Sequence, residues 1–350
     1  MRTKLLFLLV SLAIAAAGCA TTGTTVGRAA PKVRENGIWA CQLPNGVHLL
    51  VKETDKNAPT SIQVWVPGGS GCDPKGKQGM AHFVERMLIT GSFHVPPGKA
   101  QQYLEGIGGR LSSHTSQDFS YFAATIPGQE SFNGGWKRVE EILFAMVANP
   151  SFNEARMEEQ RRIILLETAQ MARAPETRLA ENLFAAAYYV HPYKNPVTGP
   201  AGNVKSFTRE DVLDFYQGAY VPSNMTVVVV GGVDALEVKA KIESTFGAMT
   251  PSSSVIPAAP CGEICQAVTR RSELEMPVKL AYAELGWHIC SAKDPDIYAL
   301  EVLGAILGGG RGSRLYMAPR EAGHRVQYKD GDVSAPGAGS NGGAGSHGPG

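Results

Sequence analysis

Residues 81–88 read AHFVERML, a short apolar run that carries three polar side chains, His82, Glu85 and Arg86. Positions three and four apart share one face of a helix, so the three side chains form a polar stripe. The apolar remainder predicts a helix that is packed on more than one side. The stripe then faces either solvent or an internal site. Spacing alone leaves both interpretations open, because His-x-x-Glu arises readily by chance.

A second carboxylate strengthens the interpretation as a site. Glu167 lies on an apolar helical face of residues 160–171, QRRIILLETAQM, and this face is expected to be buried. A buried carboxylate needs a cation or a metal beside it. The structural alternative is that Arg161 or Arg173 folds over the carboxylate.

The composition fits a globular protein and excludes one class of partner. The 350 residues are 43% hydrophobic and 19% charged, and this length suffices for about two domains. The formal net charge of +1 gives no positive field for gathering nucleic acid, so no nucleic-acid partner is expected.

Hydrophobic periodicity and turn signals predict an α+β order of elements. The predicted strands are two in residues 37–53 around a PNG turn and one each in 61–69, 118–127, 224–232 and 276–289. The predicted helices are the one around residues 81–88 and those in 97–109, 136–150, 154–174 and 296–307.

The N-terminus has the layout of a secretory signal. Arg2 and Lys4 precede an apolar stretch, residues 5–17, which is shorter than the roughly 18 residues of a membrane-spanning helix. The ending AAGC resembles the lipobox of bacterial lipoproteins and predicts lipidation of Cys19; an ordinary cleaved signal is the alternative. By the same resemblance, Ala20 favours the outer membrane. We therefore expect an exported protein, lipid-anchored in the bacterial cell envelope and facing the periplasm.

Five further cysteines follow Cys19, so at least one has no intramolecular partner. Cys261 and Cys265, in CGEIC, are near enough to form a disulfide. No second pair exists to complete a zinc knuckle, so a structural role is favoured over metal binding.

Seven segments resemble, in order and spacing, the insulinase, pitrilysin and mitochondrial processing peptidase family. Six match its N-terminal half: PNGVHLLVKE, GKQGMAHFVERMLITGS, LEGIGGRLSSHTSQDFSYF, QRRIILLETAQ, HPYKNPVTGP and YVPSNMTVVVVGGVD. DIYALEVLGAILGGGRGSRLYMAPREAG is similar to the opening of its second half. The resemblance implies a half-domain with a mixed β-sheet flanked by helices, followed by an incomplete second domain of the same type. Family members are zinc peptidases with the inverted motif His-x-x-Glu-His.

The resemblance implies a role for each polar residue of the site. His82 matches the first zinc ligand, Glu85 the general base and Glu167 the distant ligand, while Gln160 matches a supporting glutamate. In the family, two histidines and the distant glutamate hold zinc, and the motif's glutamate takes a proton from the zinc-bound water. The second histidine belongs at the position of Arg86.

Arginine stays charged and has no lone pair for a metal, so a normal zinc site is not expected. We expect the guanidinium of Arg86 to occupy the volume that zinc would fill. It should pair either with Glu167 alone or with both Glu167 and Glu85. His114 and His94 are conceivable replacement ligands, but nothing in the sequence fixes their reach.

The resemblance also predicts what the protein binds. Ser112 and Ser113 stand where the family has Asn-Ala, on the edge strand that pairs with substrate backbone, and small polar residues permit such pairing. Peptides or unfolded polypeptides are the expected ligands. Two functions remain: a zinc metalloendopeptidase impaired in zinc binding and catalysis, or a catalytically silent subunit or scaffold. The second would pair with an active relative, because family members do work as two-chain complexes with one silent partner.

The expected organisation has six parts. They are a signal peptide (1–18), a tether (19–34), an N-terminal metallopeptidase-like domain (35–250), a linker (251–265), a partial second domain (266–330) and a glycine-rich disordered tail (331–350). The second domain is expected to be incomplete because about 65 residues make a small core. A shortened or frame-shifted C-terminus would explain this.

Overall fold

One mixed β-sheet organises the chain in the computed structural model, which describes residues 32–34, 37–252, 263–264, 266–290 and 294–321. Its strands are β1 (Lys32–Arg34), β2 (Ile38–Gln42), β3 (His48–Glu53), β4 (Thr60–Val66), β5 (Arg110–Thr115), β6 (Ser120–Ile126) and β7 (Thr226–Gly231). The strand order is β1-β2-β3-β7-β4-β6-β5. Only β3 and β7 pair in parallel. The predicted α+β class with a mixed sheet is therefore confirmed.

Alternating side chains explain why these segments form strands. In β4, Ile62, Val64 and Val66 are fully buried, whereas the residues between them are partly exposed. Val227 and Val229 repeat this alternation in β7. Since β7 lies between β3 and β4, its run of valines occupies the centre of the sheet.

Helices cover the apolar face of the sheet. Their bounds are α1 (Met80–Ile89), α2 (Lys99–Gly106), α3 (Gly128–Phe132), α4 (Gly135–Ala148), α5 (Glu154–Met171), α6 (Pro175–Ala187), α7 (Ala201–Ser206), α8 (Arg209–Ala219), α9 (Ala235–Ser244), α10 (Ile297–Gly308) and α11 (Arg314–Glu321). Helix α1 packs against β5 and β6, α4 against β4 and β6, and α9 against β3. Helix α1 also contacts α5 and α8, which explains why it is apolar on more than one side.

The start of α1 is fixed by a side chain from the preceding loop. Asp73 accepts hydrogen bonds from the backbone N–H groups of Gly79 at 2.7 Å and Ala81 at 2.8 Å. These are among the first N–H groups of the helix, which have no partner within it. Gly79 has φ 96° and lies so close to Thr198 that a Cβ would come within 2.5 Å of that carbonyl oxygen. Only glycine fits there without strain.

The strand predicted at residues 276–289 is wrong, because this stretch contains neither helix nor strand. A strand needs a neighbour for its backbone hydrogen bonds, and within the described residues no strand pairs with it. The helix predicted at 296–307 is confirmed as α10. No element was predicted from the sequence at β1, α3, α6 to α9 or α11.

Several predictions concern residues that the structure does not describe. Cys19, Cys261 and Cys265 are among them, as are the tail 331–350 and most of the linker. The proposed domain boundaries stay predictions. Among the described helices, none has both the length and the apolar character required to cross a bilayer.

Candidate functional site

Helices α1 and α5 bring the residues of the predicted site together. Arg86 on α1 donates a hydrogen bond from Nη2 to Oε1 of Glu167 on α5 at 3.0 Å. The predicted ion pair between these residues is therefore present. The side chains are 29% and 40% exposed, so the pair lies at the mouth of the site. The expectation that the helical face carrying Glu167 is buried is confirmed at Ile164 but wrong at Glu167, because α5 becomes exposed to solvent beyond Ile164.

Arg161, one of the two alternative partners expected for Glu167, makes its contacts elsewhere. Arg161 donates instead to the carbonyl oxygens of Val204 and Phe207 and pairs with Glu158 on its own helix. Arg161 thereby ties α5 to the C-terminal end of α7. The cation beside Glu167 comes from α1.

Glu85 is buried between α1 and the edge strand β5. Its Oε1 accepts a hydrogen bond from Ser113 Oγ, and Thr115 Oγ1 lies 3.4 Å from its Oε2. Burial raises the pKa of Glu85, although the Ser113 hydroxyl and the Arg86 charge act in the opposite direction. The hydroxyls therefore fix the carboxylate on the β5 side of α1. The described hydrogen bonds of Glu85 do not include Arg86, so the expected second ion pair does not form.

His82 is held as a neutral imidazole. Burial and the Arg86 charge lower its pKa to about 4. Its Nε2 lies 3.9 Å from Glu85 Oε2, which is longer than a hydrogen bond. Its Nδ1 is buried and has no hydrogen-bond partner among the described residues.

On the two contacting helices α1 and α5, two more buried polar atoms lack hydrogen-bond partners among the described residues. They are Arg86 Nε on α1 and Gln160 Oε1 on α5. Gln160 is itself buried, two helical turns before Glu167. Leaving such an atom unpaired costs about 1–3 kcal/mol, and such atoms are rare in native proteins. Their concentration on α1 and α5 marks this region as the candidate functional site.

Two family models match the chain. "Insulinase (Peptidase family M16)" matches residues 49–201, and "Peptidase M16 inactive domain" matches residues 206–324. Together they cover more than half of the chain. The chain belongs to the M16 peptidase family.

Individual relatives agree with this assignment. A zinc protease of Mycobacterium leprae is 27% identical over 84% of this chain and 66% of its own length. Other curated relatives are matched over about half of their length. The crystal structure of a protease from Helicobacter pylori superposes with a TM-score of 0.71 at 21% identity, covering 86% of this chain and 73% of that one. The periplasmic protease PqqL of Escherichia coli superposes with a TM-score of 0.58 at 21% identity, covering 65% and 26%. These structures share the fold.

M16 relatives include named zinc proteases, so the donor set of this chain has to be compared with the needs of zinc. Structural and catalytic zinc sites use at least three protein donors from His, Cys, Asp and Glu. In the described part of the chain, no group of three such residues is arranged to hold a metal ion. His114 lies on β5 and His94 in the turn after α1, and neither completes a set. Arg86 occupies the remaining position and has no lone pair to donate.

The candidate site borders an open sheet edge. Strand β5 is the last strand of the sheet, and its Ser113 holds Glu85. No other described strand pairs with its outer side. The outward-facing backbone groups of β5 therefore have no strand partner among the described residues.

Two residues that position this site were not predicted from the sequence. Thr115 had no assigned role although it faces Glu85, and Asp73 was not recognised as the cap of α1. The signal for Asp73 was weak, because it lies six residues before Gly79 rather than at the usual capping position.

Proposed function

We propose that this chain is a catalytically silent, peptide-binding M16 protein of the cell envelope in which the Arg86–Glu167 ion pair replaces a zinc centre. The observation that carries the proposal is the 3.0 Å contact between Arg86 and Glu167. One partner stands at the position of the missing second histidine and the other at the position of the distant ligand.

The chemistry of the pair opposes zinc binding in two ways. Arg86 removes a donor and adds a fixed positive charge, which repels a dication. It also engages the carboxylate of Glu167, which a metal would have to recapture. Changes outside the ligand shell alone lower metal affinity or activity about 10- to 100-fold, so replacing a ligand has a larger effect. Without bound zinc there is no activated water from which Glu85 could take a proton.

Peptide binding needs no metal. An extended peptide that adds to β5 gains main-chain hydrogen bonds along an edge that is already in strand geometry. Amide hydrogen exchange tests this step. An unstructured peptide in excess should slow exchange in β5 and leave β1, the opposite edge strand, unchanged; equal exchange in β5 with and without peptide would exclude this site.

Cleavage assays separate the silent protein from an active one. We expect no metal-dependent cleavage of a fluorogenic unstructured peptide by the native chain. Arg86→His restores the family's donor set, and a gain of chelator-sensitive cleavage would show that this one residue silences the site. Arg138→His, at an exposed arginine paired with Glu141, is the matched control. Chelator-sensitive cleavage by the native chain would contradict the proposal.

A second candidate, a subunit that pairs with an active M16 relative, is favoured by exposed apolar side chains. On α10, Tyr298, Val302 and Ile306 are all more than half exposed. Several such residues in one region are typical of an interaction surface. Light scattering of the chain mixed with an active relative tests this: the summed mass supports the partnership, and the two separate masses argue against it.

The envelope location rests on the N-terminal segment. Cys19 is its predicted lipidation site, and the mature protein then faces the periplasm. Incorporation of labelled palmitate that is lost in Cys19→Ser would support a lipid anchor. Unlabelled, fully released protein would instead support an ordinary cleaved signal.

A further inference from the structure

Three successive backbone N–H groups after α6 converge on one carboxylate. Tyr189 N donates to Glu263 Oε1 at 3.0 Å, while Val190 N and His191 N donate to its Oε2 at 2.9 and 2.8 Å. Successive N–H groups arranged in this way form a nest, which is a binding concavity for anions. The nest of residues 189–191 is therefore a built carboxylate site.

Two cationic side chains contact Tyr189, the first residue of the nest. Lys194 Nζ donates to the carbonyl oxygen of Tyr189 at 2.7 Å, and the Arg270 guanidinium lies 3.7 Å from the centre of the Tyr189 ring. The hydrogen bonds from the backbone N–H groups of His191, Tyr189 and Val190, together with that of Ile264, lower the pKa of Glu263 to about 2. The nest thus prefers the ionised form of its carboxylate.

A ligand from solution can reach this site. Tyr189 and Val190 are 56% and 53% exposed, so the donors lie at the protein surface. Glu263 belongs to no helix or strand, and its described contacts here are the hydrogen bonds of one side chain. A carboxylate from solution would therefore have to displace one side chain from the three N–H groups.

We propose that the nest binds the C-terminal carboxylate of a peptide and that Glu263 fills it in cis. A C-terminal carboxylate carries the same two oxygens and the same charge as the Glu263 side chain, and backbone nests are a recognised means of capturing it. The exposed Tyr189 and Val190 offer apolar surface to the last side chain of the peptide. This contact extends the proposed peptide binding to a second place, and it depends neither on β5 nor on Arg86.

The Glu263 carboxylate competes with the C-terminal carboxylate of a peptide for the nest. A group held by a short tether has an effective concentration in the millimolar range. A peptide terminus must displace it, so native affinity is low. Removing the Glu263 carboxylate should raise the affinity for a free C-terminus about tenfold or more.

Fluorescence anisotropy with a labelled unstructured peptide tests this inference. One peptide ends in a free carboxylate, and an otherwise identical one ends in an amide. We expect Glu263→Ala to bind the carboxylate peptide about tenfold more tightly than the native chain does, with no change for the amide peptide. Glu273→Ala, which removes an exposed glutamate paired with Arg271, is the matched control and should change neither affinity.

A second variant tests the donors themselves. His191 has φ −60°, which suits proline, so His191→Pro removes one N–H without straining φ. In the Glu263→Ala background it should abolish the gain in affinity. Equal gains for the carboxylate and amide peptides would overturn the inference, as would the absence of any gain. Millimolar inorganic phosphate that protects the loop from exchange in Glu263→Ala, with no effect of the carboxylate peptide, would assign the nest to small anions and overturn the peptide assignment.

The test of the nest and the test of peptide binding at β5 can give different results. A gain in Glu263→Ala without slower exchange in β5 supports the nest and removes the edge-strand proposal. Slower exchange in β5 without any gain in Glu263→Ala does the reverse.

Discussion

The Arg86–Glu167 ion pair should contribute measurably to the stability of the fold. Fully exposed pairs contribute about 0.2–1 kcal/mol, whereas removing one partner of a buried pair costs about 3–5 kcal/mol. With side chains 29% and 40% exposed and a contact of 3.0 Å, this pair lies between those limits and nearer the first. We expect a coupling free energy of about 1 kcal/mol.

A double-mutant cycle measures this coupling. Arg86→Met, Glu167→Gln and the double variant are compared with the native chain by urea denaturation at low and high salt. The Arg138–Glu141 pair, whose side chains are 61% and 44% exposed, is the reference and should couple more weakly. A coupling below about 0.3 kcal/mol, or one no larger than the reference, would contradict the role assigned to the pair. So would a rise in the Tm of the native chain when zinc is added, because the pair is proposed to replace the metal.

Three further predictions concern the stability of the fold. Burial raises the pKa of Glu140 to about 7. The protonated carboxyl therefore contributes its full stability below about pH 4.5, and this contribution is lost as the pH rises towards 7. Glu140→Gln should leave the free energy of unfolding unchanged at pH 4 and raise it by at most about 3 kcal/mol at pH 8. Asp73→Ala removes the cap of α1 and should lower that free energy by about 1–2 kcal/mol, with Asp73→Asn closer to the native value. Val229→Ala leaves a cavity in the central strand and should cost about 1–3 kcal/mol, whereas Val228→Ala, on the half-exposed face, should cost less. An equal effect of Glu140→Gln on stability at pH 4 and at pH 8 would contradict the assignment to ionisation of Glu140. Equal effects of the two Asp73 variants would contradict the capping role, and equal effects of the two valine variants would contradict the cavity.

The sheet and its first helix were predictable because their signals are local. A continuous run of valines marks β7, and the apolar surroundings of the His82 stripe mark α1. Both signals repeat over several residues, so chance seldom imitates them. The ion pair was predictable for a different reason: the resemblance supplied the distant partner Glu167, which spacing on one helix cannot identify.

The remaining features depend on contacts between distant parts of the chain. The exposure of Glu167 follows from how far α5 extends beyond its neighbours, which no periodicity reveals. The stretch 276–289 has strand-like composition, yet a strand forms only where a neighbouring strand satisfies its backbone. The nest at residues 189–191 is made of backbone N–H groups. Every residue except proline carries such a group, so no residue type in the sequence predicts the nest.

The zinc content of the native chain decides whether the Arg86–Glu167 pair stands in place of a metal centre. The protein is incubated with excess zinc, dialysed against metal-free buffer and measured by elemental mass spectrometry beside Arg86→His. We expect far less than one zinc per chain for the native protein and a higher content for the variant. One zinc per native chain, lost when Glu167 is replaced by glutamine, would contradict this expectation.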